Sequence, residues 1–148
     1  MSQPREATES GVPDPFPMMH PVMKENYGQW DWHERPRPGV LRHVAKGGAS
    51  IWTVKAGTAR QMDVHTIRLL CDIGDEFADG YVRFTTRSNI EYMVDDESKV
   101  APLIDKLTGE GFPVGGTGNS VSMISHTQGW LHCDIPGTDA SGVTKSIM

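Results

Sequence analysis

Apolar and polar positions fall into a regular pattern from residue 48 onward, and that pattern predicts a short series of elements. Residues 50–55 (SIWTVK) alternate and include β-branched side chains, so they read as a strand that Ala56-Gly57 stops. Residues 63–78 place Val64, Ile67, Leu70 or Cys71, Gly74 and Phe77 at spacings of three and four, the apolar stripe of a helix. Asp63 can accept the orphan amides of its first turn, and Asp79-Gly80 can end it. Residues 81–86 and 90–94 alternate again, joined by a turn around Arg87-Ser88-Asn89. A second helix over 97–108 turns Val100, Leu103, Ile104 and Leu107 inward, with Pro102 placing its hydrogen-bonded part from Lys99 onward. A last strand is expected over 121–125. Beyond it, Thr138 or Asp139 caps a helix whose stripe is Ala140, Val143 and Ile147.

The chain before residue 48 has a different character. Seven of its ten prolines fall in the first 40 residues, which argues against a helix or a central strand there. Residues 1–12 read as a disordered lead. Residues 13–47 add Phe16, Tyr27, Trp30 and Trp32 and read as an extended arm, packed on its own domain or on another subunit. Strand, helix, two strands, helix and strand over 48–112 and the following turn give the βαββαβ order of a ferredoxin-like unit, so the expected class is α+β. Residues 113–148 are expected to begin a further domain. The chain stops at Met148 about two turns into an apolar stripe, which reads as part of a longer protein.

Composition narrows the function classes. Lys plus Arg is 14 against 19 Asp plus Glu, a formal charge of −5, which disfavours nucleic acid as a partner but leaves room for a local cationic pocket. No run approaches the roughly 20 apolar residues of a membrane helix, and the polar start MSQPREATESG is not a secretory signal. Two cysteines, Cys71 and Cys133, are too few for a disulfide framework, so a cytoplasmic location is expected.

Three stretches could carry chemistry. On the 81–87 strand, Val82, Phe84 and Thr86 are expected toward the core, while Arg83, Thr85 and Arg87 share the other face. Two guanidiniums on one face suit a carboxylate, phosphate or sulfur oxyanion; alternatively they reach water or pair with Glu91 on the next strand. The run VGGTGNS (114–120) can aim backbone amides at an anion, yet it is neither a dinucleotide fingerprint nor a P-loop, and a tight loop is the commoner meaning. Residues 125–142 (SHTQGWLHCDIPGTDASG) gather His126, Gln128, Trp130, His132 and Cys133. Cys133 could be a metal ligand, a nucleophile or a small buried apolar residue. Cys71, on the inward stripe of its helix, reads as core.

RFTTRSNIEYMV (83–94), GFPVGGTGNSVSMISHTQGWLHCDIPGTDASG (111–142) and NYGQWDWHERPRPGVLRHV (26–44) resemble the β subunits of dissimilatory sulfite reductases, within the sirohaem sulfite and nitrite reductases. The HTQGWLHC run with its downstream TDASG is the specific part; the arginine strand is shared more widely. The resemblance implies a sirohaem coupled to a [4Fe-4S] cluster and six-electron interconversion of sulfite and sulfide. It implies that Cys133 is the first of four cluster thiolates, the others lying in a downstream Cys-Cys-x₃-Cys segment that these residues do not contain. Arg83 and Arg87 would face the sirohaem carboxylates or the sulfite side of the macrocycle, as the catalytic candidates. Thr85, Thr86, Asn89, Gly115, Gly116, Thr117, Gly118, Asn119, His126, Thr127, Gln128, Gly129, Trp130 and His132 would line the same pocket.

The implied partners are an α subunit in an α2β2 assembly, a small sulfur-carrier protein, and sulfite or sulfide. The family runs in both directions, and HCDIPGTDASG with EGFPVGG inclines to the oxidising branch. Two rivals remain. A non-catalytic ferredoxin-like module would use Arg83 and Arg87 to hold a small anion and would not need Cys133. An assimilatory sulfite or nitrite reductase domain would share the arginine strand without the HTQGWLHC run.

Overall fold

The computed structural model describes residues 14–116, 124–127 and 134–147. After a single 3₁₀ turn at Phe16–Met18 come a short helix α1 (Pro21–Glu25) and the strands β1 (Trp30–Arg37), β2 (Val40–Ala45) and β3 (Ser50–Ala56). Helix α2 (Val64–Phe77), strands β4 (Val82–Phe84) and β5 (Ile90–Val94), α3 (Val100–Gly109) and α4 (Ala140–Ile147) follow. The five strands form one sheet in the order β1-β2-β3-β5-β4, every neighbouring pair antiparallel.

Local chemistry accounts for most boundaries. The Asp63 carboxylate accepts from the Thr66 N–H at 2.7 Å and starts α2. Ala78 and Gly80 both donate back to the Gly74 carbonyl, with Asp79 and Gly80 in the left-handed region, so α2 stops where Asp79-Gly80 was expected to stop it. Asp96 accepts from Ser98 N–H at 2.9 Å and opens a 3₁₀ turn that leads into α3. Pro102 is the third residue of α3, where its missing N–H has no helical partner to lose.

Helices α2 and α3 cover one face of the sheet. Leu70 and Ile73 of α2, with Leu103 and Leu107 of α3, pack on Trp52, Val54, Ala56, Ile90, Tyr92 and Val94. Each such aliphatic side chain contributes about 1.5–3 kcal/mol relative to exposure. Tyr92 is fully buried yet its hydroxyl donates to the Leu70 carbonyl at 3.1 Å, tying β5 to α2. The alternation within α2 differs from the expected stripe. Its buried residues are Leu70, Ile73 and Gly74, while Val64, Ile67 and Cys71 are exposed. The helix is apolar on two sides, and the side with the larger aliphatics in the middle of its length packs on the sheet. Cys71 is therefore not a core residue.

The N-terminal arm needs the larger correction. Residues 30–45 form a hairpin within the sheet, and a boundary at 47/48 would cut between two hydrogen-bonded strands. The prolines permit this by position. Pro21 is the first residue of α1, where no N–H is needed, and Pro36 lies on the edge strand β1. Pro38-Gly39, with Gly39 at φ +80°, supplies the second and third residues of the tight turn between β1 and β2. In a βαββαβ unit the closing strand lies beside the first one. Here β2 takes that place beside β3. Of the closing strand expected over 121–125, Ile124 and Ser125 are not in a strand, and 121–123 lie outside the described residues.

Candidate functional site

Register settles which side chains share the face opposite α2 and α3, on which α1 also packs. Lys55 pairs with Glu91 and Glu91 with Arg83, so the three form one row across β3, β5 and β4. Glu91 is completely buried. It accepts from Arg83 Nε and lies 3.5 Å from Lys55 Nζ. Two cations around one carboxylate leave the row with one net positive charge. Arg83 keeps half its surface exposed while its Nε is bonded to Glu91.

Arg83 lines a cavity of about 140 Å³ with Met23, Trp30, His43, Ile51, Thr53 and Met93. Thr53 is 5% exposed and its hydroxyl has no hydrogen-bond partner, which is costly unless something polar enters. Glu91 Oε1 likewise accepts no hydrogen bond. The His43 ring is half-buried, edge-on to Trp30 and 6.1 Å from His33 on the neighbouring strand. Burial pushes the His43 pKa below the ordinary 6.5; Glu91 opposes this, while His33, Arg83 and Lys55 add to it.

Arg87 belongs to a different place. Strand β4 ends at Phe84, and Thr85 to Ser88 turn away, with Ser88 at φ 61°. Arg83 and Arg87 therefore do not share a face, because the alternation that would align them stops at Phe84. Phe84 is 65% exposed and Thr86 is exposed, so of the expected core face only Val82 packs inward. Arg87 lines a larger cavity of about 860 Å³ between the 57–63 loop, the β4–β5 turn, Pro113, Ile124, His126 and the start of α4. Arg60 lines it too, and its guanidinium donates to the His126 carbonyl. Neither Arg60 nor Arg87 has an ion-pair partner among the described residues.

The other candidates divide between holding the wall and forming it. Asn89 is buried with its side chain committed: Oδ1 accepts from Thr58 N–H at 3.1 Å and Nδ2 donates to the Arg87 carbonyl. Thr85 Oγ1 accepts from Asn89 N–H. Both fix the turn that carries Arg87. Gly115 is buried and donates to the Lys55 carbonyl at 3.2 Å, while Gly116 has φ +80°. These two glycines run the chain along the end of β3. Thr127 is exposed, and its carbonyl contacts His126 Nδ1. Thr117, Gly118, Asn119, Gln128, Gly129, Trp130, His132 and Cys133 lie outside the described residues.

Helix α4 begins where expected, with Asp139 Oδ1 accepting from Gly142 N–H at 3.0 Å, but its stripe is reversed. Val143 and Ile147 are 58% and 57% exposed, and Thr144 is buried. Ser141 and Thr144 face the larger cavity, and Ser141 Oγ is buried without a partner. Sequence reasoning missed Arg60, Thr53, Lys55 and His43. For Thr53 and Lys55 the signal was present, since they alternate with Trp52 and Val54 on the first strand. For Arg60, only a loop basic residue after Gly57-Thr58-Ala59 was visible.

A sheet with cations on the face opposite α2 and α3 and an arginine-lined cleft at one end has relatives. Residues 43–109 match the family model described as the nitrite/sulfite reductase ferredoxin-like half domain. Over these residues the chain is similar to the nitrite and sulfite reductases. It is 46% identical over 95% of its length to the dissimilatory-type sulfite reductase subunit beta of Archaeoglobus fulgidus, covering 40% of that protein. It is 49% identical over 86% of its length to the protein so named from Nitratidesulfovibrio vulgaris, covering 35% of it. With that of Megalodesulfovibrio gigas it shares 47% identity over 98% of its length and 55% of the relative. The chain thus spans between about a third and a little over half of these relatives. The half-domain match takes in β3, α2, β4, β5 and α3 and begins inside β2, in accord with the α+β ferredoxin-like class. No helix among the described residues is long and apolar enough to cross a membrane.

Proposed function

We propose that this chain is part of a dissimilatory sulfite reductase β subunit, an oxidoreductase of sulfite and sulfide, and that the sheet face opposite α2 and α3 and the adjoining cleft form the anion-binding side of the reaction centre. The row Lys55–Glu91–Arg83 carries this reading. A surplus positive charge beside a cavity with an unpartnered hydroxyl suits an oxyanion, even in a protein of net charge −5.

Sirohaem, a polycarboxylate, fits the chemistry of the donor set. Arg60 and Arg87 bring guanidiniums without an ion-pair partner among the described residues to a cavity of about 860 Å³, and Ser141 adds a buried hydroxyl without a hydrogen-bond partner. These residues would hold its carboxylates. Cys133 would be the first ligand of a [4Fe-4S] cluster completed by cysteines outside this chain. Bound together, the two groups would supply the redox chemistry, passing electrons to or from the sulfur.

The chain's own residues bind and orient. Glu91 holds Arg83 by Nε, which fixes its guanidinium in the wall of the small cavity for a small oxyanion. Thr53 offers a hydroxyl into the same cavity. Asn89 and Thr85 hold the turn that presents Arg87. An α subunit in an α2β2 assembly and a small sulfur-carrier protein are the proposed partners, the compartment is the cytoplasm, and the physiological direction inclines to oxidation.

The test uses the full-length complex. Arg87→Ala and Arg60→Ala should each lower sirohaem content, and Cys133→Ser should abolish the coupled cluster absorption while Cys71→Ser keeps it. Unchanged spectra in the arginine variants would reduce the chain to a domain whose cations are merely solvated. Equal cluster absorption in both cysteine variants would remove Cys133 from the ligand set.

A further inference from the structure

The row Lys55–Glu91–Arg83 leaves one positive charge beside the small cavity, and His43 is the titratable group in its wall. His43 sits on β2, next to β3 in the sheet, with its ring edge-on to Trp30. The charged and titratable groups acting on it come from the two flanking strands and from beyond them: His33 on β1, Lys55 on β3, Glu91 on β5 and Arg83 on β4. In the free chain burial and three of these four disfavour an imidazolium. An anion entering beside Arg83 reverses the balance, because it adds a negative charge where only Glu91 acted before.

We propose that His43 is the proton-carrying group of the small cavity: it takes up a proton as an oxyanion binds beside Arg83 and Thr53, and serves as the proton donor to that anion. This deepens the proposed function and rests on it for the identity of the anion. The transfer balances simply. The imidazolium N–H bond breaks, an O–H bond forms on an oxygen of the anion, and the neutral imidazole left behind is reprotonated from solvent on the His33 side. Thr53 then completes the site as a hydroxyl that can donate to the anion or accept from it. A group held neutral at rest and protonated only with its ligand in place spends its proton on the bound anion.

Isothermal titration of nitrite into the chain, in two buffers of different ionisation heat, tests the linkage without any cofactor. Nitrite itself stays unprotonated in the range used, about pH 5.5 to 8. The expected result is uptake of a fraction of a proton approaching one above the His43 titration, with affinity falling by up to about tenfold per pH unit there. His43→Gln should still bind nitrite, with no uptake and an affinity independent of pH. In the cofactor-loaded complex the same variant should lower kcat and remove one limb of its pH profile, with KM changed less. Binding by the wild type without uptake, or uptake preserved in His43→Gln, overturns the role of His43 while the anion site stands. No nitrite binding, or equal binding by Arg83→Gln, overturns the anion site and with it the proposed function of this face. Melting curves by circular dichroism confirm that each variant is folded.

Discussion

Gly39→Ala tests how the 113–115 segment is clamped to the sheet. Gly39 has φ +80°, a conformation that costs an L-residue about 1–2 kcal/mol. A Cβ there would stand 2.5 Å from Val114 Cγ1 and 2.7 Å from the Gly115 nitrogen. The valine methyl can rotate away, but the Gly115 nitrogen is backbone, held by its bond to the Lys55 carbonyl at 3.2 Å. Displacing it adds about 1–3 kcal/mol of overpacking and forfeits a hydrogen bond worth about 1 kcal/mol. Gly48 is the control: it has φ +87° and nothing within 4 Å of its Cβ position. Gly48→Ala should therefore cost only the backbone part, about 1–2 kcal/mol. Urea denaturation of both variants, followed by circular dichroism, should show Gly39→Ala as the less stable by about 2–4 kcal/mol at unchanged slope. Equal losses would mean that the 113–115 segment yields freely and is not clamped. Because Pro113 borders the larger cavity, the same variant should also weaken whatever the cleft holds.

Two more outcomes follow from buried polar groups. Tyr92→Phe removes the hydroxyl that donates to the Leu70 carbonyl and should cost about 1–2 kcal/mol in the same denaturation assay; a neutral result would mean the hydroxyl contributes nothing net. His20 is buried, caps α1 by accepting the Val22 N–H on Nδ1, and burial holds its pKa below the ordinary 6.5 against the pull of Asp95 and Asp79. The unfolded chain binds that proton more readily, so this stabilisation is present above about pH 6.5 and is lost as pH falls through the lowered folded value. His20→Asn keeps a cap without a titration and should flatten that part of the stability profile, whereas an unchanged profile would assign the acid sensitivity to other groups such as His43.

Sequence pattern was sufficient where one force acted alone. Strands over 50–56 and 90–94, the Asp63 cap and the stop at Asp79-Gly80 are set by alternation and local hydrogen bonds, and the structure has them. Pattern misled where two apolar faces competed, as in α2, and where it was extrapolated past a strand end, as from Arg83 to Arg87. Proline counting misled because proline is costly by position rather than by number: one at a helix start, one on an edge strand and one in a turn are all tolerated. For the candidate site, the alternation that put Arg83 opposite Val82 was legible, as was its alternative pairing with Glu91. The surplus charge was not, because it depends on Lys55 arriving from a strand about 30 residues away.

The place of β2 beside β3 governs how this module can be joined to anything else. With that place filled, the sheet has two open borders. One is β4, three residues long; the other is β1, which carries Asp31, Glu34, Arg35, Pro36 and Arg37. Short, charged and proline-bearing borders resist strand addition. A neighbouring module is thus steered away from extending the ladder and toward stacking on a flat side, where shape and charge of side chains choose the partner. The hairpin that fills the place beside β3 also furnishes His43 and Trp30 to the face opposite α2 and α3, so one segment both sets the sheet's border and equips its proposed reactive surface.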